Sequence, residues 1–449
     1  MKTAQKRVTD MTVGNPTKHI LLFMLPLFLG NMFQQLYNMI DSLVVGNYVG
    51  ADALAAIGTC GSLNFLFFSL SAGLANGIGV IISQYFGAKD EVNLRNTIAN
   101  AVYVLVAASV FTTTLGITLA KPLLMLLATP AEILPYSVLY LRVTCCGIIF
   151  IALYNGVAGV LRALGDSKTP LYFLIFSSFL NIVLDLTFVL YLKMGVFGVG
   201  FATIISQAIS AIVSLTYAII KVPYFRLTKN ELKPHKEIIV RSFKLGVPMA
   251  LQSSMIAISM MVLQGVVNSF GAVAMAAYTI SCKVDLIVSQ VYGAMSMSLI
   301  TYSGQNYGAG RIDRVNMGLK RGILLVTLYN VIIVPVVYIF SKQIVGIFVK
   351  EAEVIEIGTQ ALHLTSLFYF ALAIIYIPRG ILNGCGDAKF SLINGITEVA
   401  CRIIFSFLLM VVFKAGVWSV WWSACFTWTT VAIVCLHRYF QGKWKGKLT

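Results

Sequence analysis

The sequence predicts an all-α polytopic membrane protein, with twelve transmembrane helices in two parallel-repeat six-helix lobes. Three observations predict it. Apolar runs recur along the chain, each of about 18 residues or more and so long enough to cross a bilayer. The basic residues gather on one side of those runs. Sequence anchors also recur at a fixed offset of 221 residues.

Of 449 residues, 58% are hydrophobic and only 11% charged, where a soluble chain carries about a quarter charged. The mean hydropathy is +0.86. Reading apolar runs between polar punctuation gives spans at 20–47, 54–84, 97–120, 134–160, 171–192, 197–220, 240–268, 274–303, 318–340, 359–383, 390–412 and 416–437. Lys89 and Arg95 separate spans 2 and 3, Lys121 lies between 3 and 4, and Arg162 and Lys168 lie between 4 and 5. Lys193 follows span 5, and the long polar stretch 221–239 follows span 6. In the second half Arg311 and Arg314, Lys342 and Lys350, Lys389, and Lys414 punctuate in the same manner. Several runs exceed the ~20 residues a crossing needs, which implies tilt or extension past the bilayer.

With the N-terminus inside, 24 basic residues fall on the cytoplasmic side, Lys2, Lys6, Arg7 and Lys447 among them. Five fall outside: Lys121, Lys193, Lys342, Lys350 and Lys414. Arg142, Lys283, Arg379 and Arg402 lie in or at the ends of spans. This bias sets both termini in the cytoplasm and supports an even number of crossings. The expected location is a bacterial-type inner (plasma) membrane, crossed many times. The bias also assigns the net charge of +16 to contact with anionic lipid headgroups rather than nucleic acid. Eight scattered cysteines have no metal-ligand spacing and read as small buried hydrophobes.

The stretch 221–239 bisects the chain. Across it Gly87-Ala88 recurs as Gly308-Ala309, and Gly159-Val160-Leu161…Gly165-Asp166 recurs as Gly380-Ile381-Leu382…Gly386-Asp387, while Pro26 matches Pro248 one residue further on. The lobes are therefore expected at 1–220 and 240–449, joined by a cytoplasmic linker at 221–239. Six spans per lobe insert both copies the same way, and the expected substrate site is a cavity between them.

Four acids lie deep in spans: Asp41, Asp185, Asp285 and Glu398. Each costs about 2.5–3.5 kcal/mol at a helix centre, so such residues face water, a partner or a substrate path. At ~1.5 Å per residue, Asp41, Asp185 and Thr203 stand at similar depth on spans 1, 5 and 6. Gln34, Tyr37, Asn38 and Asp41 share one helical stripe, Ser178, Asn181 and Asp185 another, and Thr203 and Gln207 a third. Hard oxygen ligands suit Na⁺, and a carboxylate pair in low dielectric can hold a proton. The bland alternative is hydrogen bonding across the lobe, but two carboxylates are a costlier glue than Ser or Asn. Gln34, Tyr37, Asn155, Ser178 and Gln207 are candidate substrate contacts. At the repeat offset Asp41 meets Val262 or Leu263, Asn181 meets Arg402, Asp185 meets Ser406 and Thr203 meets Ala424, which makes the first lobe the specialised one. In the second lobe, Lys283, Asp285, Glu398 and Arg402 form a possible polar network, with Glu398 and Arg402 four residues apart on one helix. An internal ion pair or a packing device of the second lobe is the first reading of that set, and a second coupling or substrate acid is the other. Nucleotide-binding, zinc-protease and Ser-His-Asp patterns do not occur, so neither an enzyme nor a cofactor is expected.

The stretches LPLFLGNMFQQLYNMIDSLVVGNYVGADALAAIG, ISQYFGAKD, GVLRALGDSKTP, KLGVPMALQSS, SGQNYGAG and GILNGCGDAK together resemble the multidrug and toxic compound extrusion (MATE) family over nearly the whole chain. The resemblance implies a V-shaped pair of six-helix lobes that exports cationic or amphipathic drugs against H⁺ or Na⁺ entry, by alternating access. It carries the family's cation site over to Asp41, Asn181, Asp185 and Thr203, which would also be the metal ligands if Na⁺ is the coupling ion. NorM-type members use acids of the second lobe at positions that here read Ile256 and Leu372, which places the chain nearer the DinF-like branch. The expected partners are drug-like cations and the lipid bilayer, with no nucleic acid, and the chain is expected to act as a monomer. A lipid-linked oligosaccharide flippase of related fold is the alternative. Lys283, Arg379 and Arg402 give it some support, while the acidic first lobe and twelve spans count against it.

Overall fold

The computed structural model describes residues 8–127 and 129–446; Lys2, Lys6, Arg7 and Lys447 of the basic count lie outside them. Among the described residues the chain is helical throughout, without strands. Its helices are α1 (Pro16–Tyr48), α2 (Ala51–Gly87), α3 (Glu91–Leu126), α4 (Leu134–Cys146), α5 (Ile148–Ala163), α6 (Lys168–Leu186) and α7 (Gly195–Lys221), then α8 (Lys236–Asn268), α9 (Ala272–Gly308), α10 (Ile312–Phe348), α11 (Ala352–Leu367), α12 (Tyr369–Gly384), α13 (Ala388–Phe407) and α14 (Ser419–Phe440). Ten spans are long and apolar enough to cross a membrane, and two bent pairs raise the number to twelve if each pair is one crossing. Helices of 33 to 37 residues reach about 50 Å at ~1.5 Å per residue, so they outrun the ~30 Å hydrocarbon layer.

The crossings expected as unbroken spans 4 and 10 are each two helices, α4–α5 bent by 44° and α11–α12 by 46°. Both breaks fall after a threonine carbonyl that accepts from the third residue on. Gly147 N–H donates to Thr144 (3.0 Å), and Phe368 N–H to Thr365 (2.9 Å). That tighter bond replaces the ordinary helical one and turns the axis. The two breaks stand 221 residues apart. Because one has Gly and the other Phe, backbone geometry rather than residue type sets the bend.

The same offset recurs in the backbone elsewhere. Short π-helical turns end the helices at Thr187–Tyr191 and Leu408–Val412. Left-handed residues pair as Gly50 with Gly271, Lys89 with Gly310, Gly165 with Gly386, Lys193 with Lys414 and Gly195 with Gly416. At Gly165 (φ 85°) and Gly386 (φ 81°) the turn needs a residue without a Cβ penalty, and an aspartate follows each. Asp166 accepts from the Lys168 and Thr169 N–H groups at 3.1 and 3.0 Å. Asp387 instead takes a buried ion pair from Arg438 at 2.8 Å.

Packing divides the chain into two compact units, Met1–Val13 with Leu25–Ser254 and Gly14–Met24 with Met255–Thr449. In the first, α2 packs on α3, α4 and α5, and α7 packs on α4, α5 and α6. In the second, α9 packs on α10, α11 and α12, and α14 packs on α11, α12 and α13. Helix α1 thus begins in the second unit and continues in the first, and α8 does the reverse. Within the first unit α8 lies directly on α2: a Cβ at Gly77 would come 2.5 Å from Gly246 Cα, and Ser69 Oγ meets Ser254 Oγ at 3.0 Å. The linker is not free chain. Arg95 of α3 pairs with Glu231, Tyr103 donates to the Leu232 carbonyl (2.7 Å), and Asn100 Oδ1 accepts from His235 N–H (2.8 Å).

Candidate functional site

In the first unit, polar side chains from three helices converge. Helix α1 supplies Tyr37 and Asp41, α6 supplies Asn181 and Asp185, and α7 supplies Thr203. The spacing of four on α1 and on α6 puts each pair on one face, one turn apart. Asn181 joins all three helices. In the amide orientation that satisfies its neighbours, it donates to Asp185 Oδ2 (2.9 Å) and to the Tyr37 hydroxyl (3.0 Å), and its oxygen accepts from the Thr203 N–H (3.2 Å). The Asp41 and Asp185 carboxyl groups lie within hydrogen-bond reach of each other. Asp185 is buried at 1% exposure and Asn181 at 2%, while Tyr37, Asp41 and Thr203 are half-buried. Oδ1 of Asp41 and Oδ1 of Asp185 are both buried without a donor. The ion pairs among the described residues are Arg95–Glu231, Arg311–Asp313 and Arg438–Asp387, so neither aspartate is neutralised by a fixed basic neighbour. The π-helical turn begins two residues after Asp185, a distortion frequent beside functional sites.

The arrangement brings together the predicted cation-site residues and Tyr37. It does not bring in the rest: Gln34 is exposed, Asn155, Ser178 and Gln207 are half-buried, and none forms a side-chain hydrogen bond among the described residues. Tyr140 of α4, 7% exposed, stands close enough to Asp41 and Asp185 to interact with their charge. No periodicity in span 4 singles it out from the many other aromatics, which is why sequence reasoning passes over it.

The second unit holds a different site. A cavity of about 390 Å³ is lined by Lys283, Asp285, Arg379, Glu398 and Arg402, with Tyr278, Tyr376, Trp421 and Trp428 among its walls. Ile256 and Leu372 also line it. The internal ion pair expected of Glu398 and Arg402 is not formed, because Arg402 Nε is turned to Ser259 Oγ (3.0 Å). Asp285 accepts from Tyr369 (2.7 Å) and Thr365 (3.4 Å), and Lys283 lies over the Phe348 ring, 5.6 Å from its centre.

The MatE family model matches the chain twice, over residues 26–187 and 248–408, which repeats the duplication seen in the backbone. Among relatives, the probable multidrug resistance protein YpnP of Bacillus subtilis is 31% identical over 97% of this chain and 98% of its own. The probable multidrug resistance protein NorM of Thermotoga maritima is 24% identical over 96% and 93%. Among solved structures, a MOP superfamily transporter from Pyrococcus furiosus superposes with a TM-score of 0.89 at 23% identity, covering 98% of each chain. A MATE structure in the bent conformation gives a TM-score of 0.90 at 23% identity, over 99% and 98%. These likenesses establish the fold, and the family match and the Bacillus relative establish descent: the chain belongs to the MatE family, whose members are membrane transporters rather than enzymes.

Proposed function

We propose that this chain is a multidrug efflux antiporter that exports cationic or amphipathic organic compounds in exchange for Na⁺ or H⁺ by alternating access. One observation carries the reading. Two carboxylates from different helices, Asp41 and Asp185, meet in a mostly buried site, and each keeps an oxygen without a donor. Two such groups at hydrogen-bond distance in low dielectric need a proton between them or a cation across them. Thr203 and Asn181 add the neutral oxygens that a hard monovalent cation accepts. The ion is cargo here rather than a resident cofactor. Its entry from outside cancels the negative charge that would hold a cationic drug, and the drug leaves on that side.

Relatives named multidrug resistance and multidrug export proteins support the drug half of this reading. The 24-to-5 bias of basic residues supports a bacterial-type inner membrane with both termini in the cytoplasm. Because one chain supplies the whole carboxylate site, a monomer suffices. Apolar Ile256 and Leu372 support a place nearer the DinF-like branch.

Whole-cell ethidium efflux tests the proposal. Asp41→Asn and Asp185→Asn should each reduce efflux to the level of cells lacking the transporter, while immunoblots find the protein in the membrane fraction at wild-type amount. Undiminished efflux in Asp41→Asn would remove the pair from the mechanism.

A further inference from the structure

The cavity of the second unit stands at the repeat position of the carboxylate site of the first, with basic residues set beside its acids. At the 221-residue offset Asn181 becomes Arg402, Thr203 becomes Ala424, Asn155 becomes Tyr376 and Gln207 becomes Trp428, and all four second-half residues line the cavity. The hydrogen bonding is inherited as well. Asn181 donates to Tyr37, and Arg402 donates to Ser259 at the matching place, one residue further on. Thr144 donates to Asn64 (3.0 Å), and Thr365 donates to Asp285 at the matching positions. A scaffold that gathers acids in one copy therefore gathers a guanidinium in the other.

Two charges in this cavity have no ion-pair or hydrogen-bond partner among the described residues. Arg379 is 8% exposed; its guanidinium stacks over the Tyr376 ring, 4.4 Å from its centre, and meets no acceptor. Glu398 is 8% exposed and meets no donor. The Trp421 indole N–H, in the same wall, is also buried without an acceptor. Two opposite charges facing one cavity favour a ligand that offers a counter-charge to each. Arg379 and Glu398 do not supply it to each other, so a ligand with both signs would satisfy both. A volume of about 390 Å³ suits a drug-sized molecule, within the ~300–1,000 Å³ of small-molecule sites, and Tyr376, Trp421 and Trp428 offer aromatic faces to a flat ring.

We propose that this cavity is a binding site for aromatic zwitterions, with Arg379 and Arg402 taking the carboxylate, Glu398 the ammonium group, and the aromatic wall the ring. It rests on the export reading only for its purpose, since binding itself needs neither the carboxylate pair of the first unit nor an ion gradient.

The test is equilibrium dialysis on the full chain in lipid nanodiscs, with a fluoroquinolone carrying a free carboxylate and a protonated piperazine. Its methyl ester and its N-acetyl derivative serve as single-charge controls. The parent should bind about tenfold or more tightly than either control. Arg379→Gln should erase the preference over the ester, and Glu398→Gln the preference over the N-acetyl compound. Efflux and dialysis are read separately on the wild-type chain: ethidium export without any preference for the parent compound would sink this site alone, and the preference without ethidium export would sink the export reading alone. Wild-type protein that binds parent and ester equally would overturn the proposal, and that comparison depends on no variant's folding. An Arg379→Gln protein of normal melting temperature that keeps its preference for the free acid would overturn it as well.

Discussion

At the scale of single residues, Asn181 ties three helices into one site. Its amide holds Asp185, Tyr37 and the α7 backbone together, so it fixes the geometry at which two carboxylates confront each other. Asp41, Asn181, Asp185 and Thr203 were legible in the sequence because charge deep in an apolar span is costly and because their depths agree. Tyr140 was not legible, since a tyrosine in a membrane helix has many ordinary uses. Nor did the i,i+4 spacing of Glu398 and Arg402 reveal that Arg402 turns to Ser259 instead. Glu231, outside the spans, gives a pH-dependent prediction. Hydrogen bonding from Arg95, and then from the Thr228 N–H, holds its carboxyl well down, at about 2 against an ordinary 4.5. A depressed carboxyl stabilises the docked linker above the unfolded value and loses that contribution as pH falls from about 4.5 toward about 2. Amide exchange over residues 226–235, corrected for its intrinsic pH dependence, should therefore be flat between about pH 8 and 5 and rise by about pH 3. Glu231→Gln should show the raised exchange already near neutrality.

At the scale of elements, the turns repeat more faithfully than the side chains around them. A lysine at φ 59° in one half answers a glycine at φ 70° in the other, so the bend outlasted the residue that makes it easy. Hydropathy located every crossing but not the breaks in the fourth and tenth. A change from i→i−4 to i→i−3 bonding leaves no mark on composition, and one broken span has glycine where its counterpart has phenylalanine. The contact of α2 with α8 was equally invisible, because Gly73, Gly77 and Gly246 read simply as small residues in apolar helices. Small residues let helix backbones approach closely in a membrane, and here that approach has a measurable consequence. A valine at Gly77 must push against the Gly246 backbone rather than a flexible side chain. Gly77→Val should cost about 1–3 kcal/mol, read as a lowered melting temperature of the purified protein in detergent. Gly58→Val, with open space around the added atom, should change it little.

At the scale of the whole molecule, duplication and divergence were both written in the sequence, but the cavity of the second half was not. Its lining comes from five separate stretches whose convergence only folding reveals. The proposed exchange of ion for drug limits what can drive export. One charge moving through ~150 mV is worth roughly 3.5 kcal/mol, enough for a gradient of a few hundredfold at ~1.4 kcal/mol per decade. A monovalent drug exchanged for one proton or one Na⁺ moves no net charge, so the ion's chemical gradient alone would drive it. Proteoliposomes with independently imposed Na⁺ and pH gradients should show drug uptake driven by one of the two and unaffected by a potassium-diffusion potential. A response to voltage would require more than one ion per drug. Helices α1 and α8 each begin in one unit and finish in the other, and this bears on synthesis. As the chain leaves the ribosome, its opening turns must wait beside the bilayer until more than half the protein has been made, for only then does the bundle that receives them exist. The earlier bundle in turn stays incomplete until residues beyond the midpoint arrive. Neither half is therefore a self-contained inheritance: each borrows part of one helix from the other end of the chain.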